Sequence, residues 1–199
     1  MTCKLKFLPL IFALLITACQ DDETPSPPTD PNPTIDLEFK GVQMTDQNGA
    51  LIGCYGDDCT DDWTNISLTT DESSYLAFDH TLPNANPELG EATMYPIYPN
   101  PMGNTGNMGI AFETTGKLIF KMVIIDTMVN AFITHVSETQ NGFNAIQISN
   151  EVFEGLERKT IYRMYYSFYD VTNAPIYAGY GDFAICEEDF TPNPQDCFE

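Results

Sequence analysis

From Ile35 onward, turn signals divide the chain into short apolar runs, and no long stretch repeats at the helical period. Short strands at this spacing are typical of an antiparallel sandwich. Asn48-Gly49 is a strong hairpin signal because both residues tolerate positive φ, and Thr115-Gly116 and Asn141-Gly142 indicate turns of the same kind. Residues 150–159 fit at most a loop with a short helix. We therefore predict an all-β antiparallel β-sandwich. The candidate strands are Leu37–Met44, Leu51–Tyr55, Tyr75–Phe78, Gly109–Glu113, Lys117–Asp126, Ala131–Val136, Phe143–Ser149, Ile161–Tyr169 and Ile176–Ile185.

Residues 1–18 have the pattern of an export signal. Lys4 and Lys6 precede the apolar run Phe7–Ile16, which is too short to span a bilayer. The run ends in Ile16-Thr17-Ala18-Cys19, which resembles the lipobox of bacterial lipoproteins, where the cysteine is acylated and becomes the mature amino terminus. The resemblance implies a membrane anchor through acyl chains, palmitate among them, on Cys19. The alternative is an ordinary cleavable signal with an incidental cysteine.

Residues 19–34 are interpreted as a tether that follows the anchor. Gln20-Asp21-Asp22-Glu23 resembles the acidic export signal of Bacteroidota-type surface lipoproteins. This resemblance implies an outer-membrane lipoprotein on the cell-surface face, with the periplasmic face as the alternative. Residues 24–34 contain five prolines and no large apolar side chain, so they have no means of becoming ordered through burial. A disordered, Pro-rich tether is expected.

Charge excludes one large class of function. The chain carries 8 Lys and Arg residues against 29 Asp and Glu residues, a formal net charge of -21. Such a surface repels phosphate backbones, so nucleic-acid binding is excluded. Hydrophobic residues still make up 43% of the 199 residues, which is enough apolar surface for one folded domain behind the tether.

The later half of the chain carries a more specific pattern. Tyr98-Pro99-Asn100-Pro101 precedes Gly109-Ile110-Ala111-Phe112 and then a long strand that ends at Asp126. The pattern resembles the Ig-like domain of flagellar-hook-capping proteins and the carboxy-terminal sorting domains of type IX secretion cargo. It covers about residues 97–185 and implies an Ig-like β-sandwich over 97–199. Residues 35–96 either add strands to this sandwich or form a small β subdomain. We favour added strands because about 60 residues make a marginal core.

Two features depart from the sorting-domain pattern. Asp126 is followed by Thr127 and not by a turn glycine, and the chain continues to Glu199 without a basic, aliphatic tail. We therefore interpret the domain as a structural Ig-like module and not as a sorting signal.

Cysteine usage predicts two disulfides. Cys3 lies in the export signal and Cys19 is the lipid site, which leaves four exported cysteines. We favour the local pairs Cys54–Cys59 and Cys186–Cys197, because each closes a short loop. A zinc site is the alternative, although the gaps between these cysteines fit no common ligand spacing and no histidine is near.

The acidic residues around Cys59 are weak calcium candidates. They lack the alternating Asp-x-Asp-x-Asp-Gly pattern of a calcium loop, so a solvated acidic loop is the favoured interpretation. Glu187, Glu188 and Asp189 receive the same interpretation. The calcium candidates are Asp57, Asp58, Asp61 and Asp62.

No motif indicates catalysis. His80 and His135 are the only histidines, and neither has a partner motif. Serine-nucleophile elbows, phosphate loops and zinc-protease motifs are absent from the sequence. We therefore predict a protein that is not an enzyme and that uses no cofactor or catalytic metal.

The many tyrosines between Tyr162 and Tyr180 indicate a contact surface, although strand alternation turns about half of these side chains inward. Trp63 is expected to be a core residue. Asp126-Thr127-Met128 resembles the Bacteroidota-type O-glycosylation acceptor, which makes Thr127 a candidate modification site, with a plain turn as the alternative. The candidate interface residues are Tyr162, Tyr165, Tyr166, Tyr169, Tyr177 and Tyr180.

Together these features predict a surface-exposed outer-membrane lipoprotein. Its expected role is that of a non-catalytic accessory subunit that contacts a protein partner in an outer-membrane complex for transport, secretion or outer-membrane protein insertion. The alternative is a glycan-binding lipoprotein of a nutrient-uptake system, and a small hydrolase is a remote third.

Overall fold

The computed structural model describes residues 37–103, 106–187 and 197, all within one compact unit, Ile35–Glu199. The export signal, Cys19, the tether, Glu188 and Asp189 lie outside the described residues. No helix of the described part is long and apolar enough to cross a membrane. The elements are β1 Gly41–Thr45, β2 Leu51–Gly56, α1 Thr70–Tyr75, β3 Ala92–Met94, β4 Met108–Thr114, β5 Ile119–Ile125, β6 Ala131–Glu138, β7 Gly142–Ile148, a 3-10 turn Asn150–Phe153, β8 Thr160–Tyr169 and β9 Pro175–Ile185.

Two antiparallel sheets pack face to face. One has the strand order β6-β5-β8-β9 and the other β3-β4-β7, while β1 and β2 form a separate hairpin. Side chains from both sheets share one large buried cluster. This arrangement confirms the predicted all-β antiparallel sandwich.

Strand alternation builds the core between the sheets. Phe112 of β4 lies 4.6 Å from Phe120 of β5 and 5.1 Å from Phe168 of β8, measured between ring centroids. Trp63 also lies in this core, directly over Gly181, where an added Cβ atom would lie 2.1 Å from the indole ring. The interpretation of Trp63 as a core residue is therefore confirmed.

The chain crosses between the two sheets three times, from β4 to β5, from β6 to β7 and from β7 to β8. β4 pairs with β7, and β5 pairs with β6, so the turns at Thr115-Gly116 and Asn141-Gly142 join different sheets. The prediction of hairpins at these two turns is therefore wrong, because each turn connects strands of different sheets. Side chains secure the crossings: Thr139 Oγ1 accepts a hydrogen bond from the Leu118 amide at 2.8 Å, and Asn144 Nδ2 donates to the Gln140 carbonyl at 2.8 Å.

Three local predictions can be compared with the structure. The Asn48-Gly49 hairpin between β1 and β2 is confirmed, with Gly49 at φ +83°. Residues 150–159, predicted to be a loop with at most a short helix, contain only the 3-10 turn, which confirms that prediction. The strand predicted over Tyr75–Phe78 is wrong, because α1 ends at Tyr75 and the chain then turns. Thr69 and Glu72 cap this helix reciprocally, with the Thr69 amide donating to Glu72 Oε2 at 2.8 Å.

The Tyr98-Pro99-Asn100-Pro101 segment ties three parts of the fold together. Tyr98 exchanges backbone hydrogen bonds with Gly109 of β4, at 3.0 and 2.6 Å. Asn100 exchanges backbone bonds with Thr45 of β1, at 2.8 and 3.2 Å. Beyond it, the amide of Met102 donates to the carbonyl of Ala184 in β9 at 2.8 Å. The segment therefore links the hairpin to both sheets.

The outer faces of the two sheets differ. The outer face of the four-stranded sheet is covered by residues from 37–39 and 68–78, which pack on Val123, Ile125 and Tyr165 in a second buried cluster. Among the described residues, no comparable layer covers the outward side chains of β3, β4 and β7, where Phe143 is 66% exposed. On this second face Tyr98 covers Gly109 of β4, whereas Phe143, Ala145 and Gln147 of β7 are exposed.

Candidate binding face

Three of the six tyrosines predicted to form an interface are core residues. Tyr162 and Tyr166 point into the cluster between the sheets. Tyr165 points the other way but lies beneath the covering layer. All three are at most 1% exposed, so their prediction as interface residues is wrong.

The other three tyrosines are half-buried. Tyr169 and Tyr177 line a hollow of about 330 Å³ beside residues 65–68. Tyr180 packs against the guanidinium of Arg163, which lies 4.1 Å from the ring centroid. A contact role for these three tyrosines stays a prediction.

A buried ion pair lies beneath the covering layer. Arg163 and Asp182 are opposite each other on β8 and β9. Arg163 Nε donates to Asp182 Oδ1 and Arg163 Nη2 to Oδ2, both at 2.7 Å. Such two-point pairing compensates for the removal of both charges from water. Arg163 is 4% and Asp182 1% exposed, so the pair serves the fold.

Asp62 extends this polar cluster toward the hairpin. Its carboxylate accepts the amide of Asp182 at 2.6 Å and the amide of Gln43 at 2.8 Å. Burial, together with the negative charge of Asp182, raises the pKa of Asp62 to about 8 and outweighs these two hydrogen bonds. Asp62 is thus a buried link between β1 and β9, and its interpretation as part of a solvated loop is wrong.

We expect Asp62 to make the protein less stable as the pH rises. The unfolded chain releases this proton near pH 3.8, whereas the folded chain holds it up to about pH 8. Between these values the folded state binds more protons, so the free energy of unfolding should fall with rising pH, by at most about 1.4 kcal/mol per pH unit. Urea unfolding at several pH values should show a flatter profile for Asp62→Asn. Asp61→Asn, at an exposed neighbour, should keep the wild-type slope; equal slopes in all three proteins would contradict the expectation.

The remaining calcium candidates do not converge with Asp62. Asp58 Oδ1 caps its own turn by accepting the Thr60 amide at 2.9 Å. Asp61 is exposed, 4.0 Å from Lys40 Nζ, and Asp57 is also exposed. No group of three or more potential metal ligands occurs among the described residues. The described residues therefore give the weak calcium hypothesis for this loop no support.

Both predicted disulfides are present. Cys54 is bonded to Cys59, and Cys186 to Cys197. The first bond lies between β2 and the acidic loop, and the second holds Cys197 against the end of β9 beside Ala184. The zinc alternative is thereby excluded, since no free thiolate remains at these four positions.

The two histidines lie in different environments. His80 is stacked on Tyr169 with ring centroids 4.4 Å apart, and its Nδ1 atom is 3.5 Å from Lys121 Nζ. Lys121 donates to the carbonyl of Phe78, and burial lowers its pKa. His135 faces the main core beside Phe120. Because Lys121 is 1% exposed, its amine is a buried structural group and is not accessible to a substrate.

The bare sheet offers a different kind of surface, which we call the open face. It consists of the outward residues of β3, β4 and β7 together with the segment 95–98. Across β4 and β7, Glu113 lies opposite Phe143, Ala111 opposite Ala145 and Gly109 opposite Gln147. These residues point outward because Ile110 and Phe112 point into the core.

Two tyrosine rings lie on the open face. Tyr98 lies over Gly109, where an added Cβ atom would be 2.5 Å from the ring. Tyr95 is 38% exposed, and its hydroxyl donates to Glu113 Oε2 at 3.1 Å. Ala145 is exposed between Phe143 and Gln147 on β7, whereas Ala111 is 4% exposed.

Two hollows adjoin Tyr98. One has a volume of about 510 Å³, and its lining includes Gln47, Pro99, Asn107 and Gln147. The other has a volume of about 230 Å³, and its lining includes Tyr95, Ala111 and Phe143. Sequence reasoning missed this face because its parts come from distant segments. The only local signal was the alternation in β7, which turns Phe143, Ala145 and Gln147 to the same side.

Thr127 lies in the exposed turn between β5 and β6. Asp126 Oδ1 accepts the amides of Met128 at 2.9 Å and Asn130 at 2.8 Å, which fixes the turn. The threonine hydroxyl is therefore accessible, and its O-glycosylation stays a prediction.

Comparison with known proteins places the chain in no family. No family model and no curated protein matches it. Among solved structures, a β-glucosidase from Listeria innocua in complex with isofagomine is similar at 7% identity with a TM-score of 0.36, over 51% of this chain and 17% of that chain. A glycosyl hydrolase family 2 member from Bacteroides cellulosilyticus matches at 12% identity with a TM-score of 0.30, over 48% and 14%. A putative β-galactosidase from Bacteroides fragilis matches at 9% identity with a TM-score of 0.29, over 48% and 16%. The chain thus spans less than a fifth of each, and no activity follows from these likenesses.

Proposed function

We propose that this chain is a surface-exposed outer-membrane lipoprotein that serves as a non-catalytic accessory subunit of an outer-membrane protein complex. Acyl chains on Cys19 hold it in the membrane, and the Pro-rich tether connects this anchor to the sandwich. The domain supplies the complex with a ligand-binding surface, and that surface is the open face.

The single observation that carries this proposal is the asymmetry of the two outer sheet faces. Residues from 37–39 and 68–78 cover one face, while the other carries Phe143 and Tyr95 at 66% and 38% exposure. Exposed aromatic residues on a sheet face without a covering layer are characteristic of binding surfaces. The acidic charge of the chain keeps the domain soluble and away from anionic headgroups, so its accessible surface stays available for binding.

The proposal is tested by extracting envelopes with mild detergent and purifying the full-length protein through an affinity tag. We expect an integral outer-membrane protein to copurify in a fixed ratio. Cys19→Ala should lose palmitate labelling and most of its membrane attachment, because the remaining chain has no acyl anchor. Cys3→Ala is the matched control, since it removes a cysteine from the export signal and should leave labelling unchanged.

Two results would contradict this proposal. If Cys19→Ala stays membrane-bound with unchanged labelling, the assigned anchor is wrong. If the correctly anchored wild type copurifies with no integral membrane protein, the role as a subunit is wrong.

A further inference from the structure

We propose that the open face binds a neutral oligosaccharide, with one sugar ring stacked on Phe143 or Tyr95 and further rings extending past Tyr98 into the larger hollow. This inference rests on the proposed function, because it names the ligand of the binding surface that the subunit supplies.

The first argument is the shape of the floor. Tyr98 covers Gly109 and Ala111 is 4% exposed, so the accessible part of the floor lies on β7, where Phe143, Ala145 and Gln147 are exposed. Tyr98 lies against the backbone of β4 because Gly109 lacks a Cβ atom. A pyranose has an apolar face of C–H groups, which packs against flat aromatic surfaces of this kind. Phe143, with its 66% exposure, is available for such a contact without any rearrangement of the core.

The second argument is the polar lining. Gln47, Asn107 and Gln147 are exposed and line the larger hollow, and within the described part of the chain their side chains form no hydrogen bond with another residue. Each carboxamide offers two N–H donors and one carbonyl acceptor. Sugar hydroxyls both donate and accept, so uncommitted amides match them better than groups that can only donate or only accept. The hollow volume of about 510 Å³ is within the range of natural small-molecule sites.

The third argument is charge. None of the described residues that line the two hollows is cationic, and Glu113 adds a negative charge at the edge of the face. The whole chain carries a formal charge of -21, which repels sulfated, phosphorylated and uronate-containing ligands. A phosphate or carboxylate would have no ion-pair partner among these lining residues, whereas a neutral sugar does not need one. The combination of exposed rings, free amides and no cation therefore selects neutral glycans among possible ligands.

The test uses the purified full-length protein on an array of neutral glucans, mannans, galactans and xylans, with sialylated and uronate-containing oligosaccharides as the anionic set. The best neutral ligand is then titrated by calorimetry. We expect Phe143→Ala and Gln147→Ala each to weaken binding about threefold to tenfold. Leu89→Ala is the matched control, because Leu89 is 71% exposed but lines neither hollow, and its affinity should equal that of the wild type. Because all three side chains are exposed, equal melting temperatures should show that the variants fold.

The outcomes separate this inference from the proposed function. Neutral-glycan binding that falls in the two face variants but not in Leu89→Ala supports the inference. Absence of neutral-glycan binding, binding of the anionic set alone, or binding unaffected by Phe143→Ala overturns it. Phe143→Ala should also keep the copurifying membrane protein. Loss of that protein would show that the open face docks a protein, which overturns the glycan inference while the subunit role stands.

Discussion

Replacing Arg163 with methionine is expected to lower the free energy of unfolding by about 3–5 kcal/mol. The substitution leaves Asp182, which is 1% exposed, without the two 2.7 Å bonds that compensate for burial of its charge. Methionine fills most of the volume between Tyr180 and Phe39, whose rings lie against the guanidinium, so the loss is chiefly electrostatic and not a cavity effect. Urea unfolding at neutral pH measures it.

Two further variants test whether the loss comes from the buried ion pair. Lys40→Met removes the partner of Asp61 from a surface pair separated by 4.0 Å with both side chains about half exposed, and it should cost less than about 1 kcal/mol. The double variant Arg163→Met with Asp182→Leu removes both buried charges and should recover much of the stability. A single Arg163→Met variant as stable as Lys40→Met would show that the buried pair contributes little.

The strands of the later half could be predicted because their apolar runs are long and their turns are unambiguous. Ile161–Tyr169 differs from β8 by one residue, and Ala131–Val136 differs from β6 by two. Tyr75–Phe78 failed for a physical reason. Its apolar residues are buried against the outer face of a sheet and are not paired within one. A segment buried in this way has the same apolar composition as a short strand, so composition alone does not distinguish the two.

Burial on the outer sheet face could not be predicted from strand alternation. Alternation correctly assigns Tyr162 and Tyr166 to one side of β8 and Tyr165 to the other. Whether the second side is exposed depends on the distant segment 68–78, which covers it. The open face was missed for the same reason, because Tyr95, Tyr98 and Phe143 meet only through the pairing of β4 with β7. The disulfides, in contrast, close loops of 5 and 11 residues, so sequence distance alone favoured them.

Asn100→Asp is expected to lower the free energy of unfolding by about 3 kcal/mol or more, although it replaces only the side-chain amino group with an oxygen. Asn100 is fully buried, and its Nδ2 atom donates to the carbonyls of Gln43 at 2.7 Å and Asp182 at 3.0 Å. Its Oδ1 atom accepts the amide of Ala184 at 3.2 Å. A carboxylate keeps the last bond but turns an oxygen toward two carbonyl oxygens and buries a charge. The hairpin and β9 would thereby lose the side chain that joins them.

The pH dependence of this variant distinguishes the proposed cause from simple loss of packing. Burial raises the pKa of a carboxyl group, so the aspartate at position 100 should bind a proton on folding more readily than in the unfolded chain. Its stability deficit relative to the wild type should therefore shrink as the pH is lowered toward about 4, where the protonated acid can again donate one hydrogen bond. Asn107→Asp makes the same chemical change at an exposed position and should leave the free energy of unfolding within about 0.5 kcal/mol of the wild-type value. A deficit for Asn100→Asp that is the same at every pH would show that the burial of a charge at position 100 is not its cause.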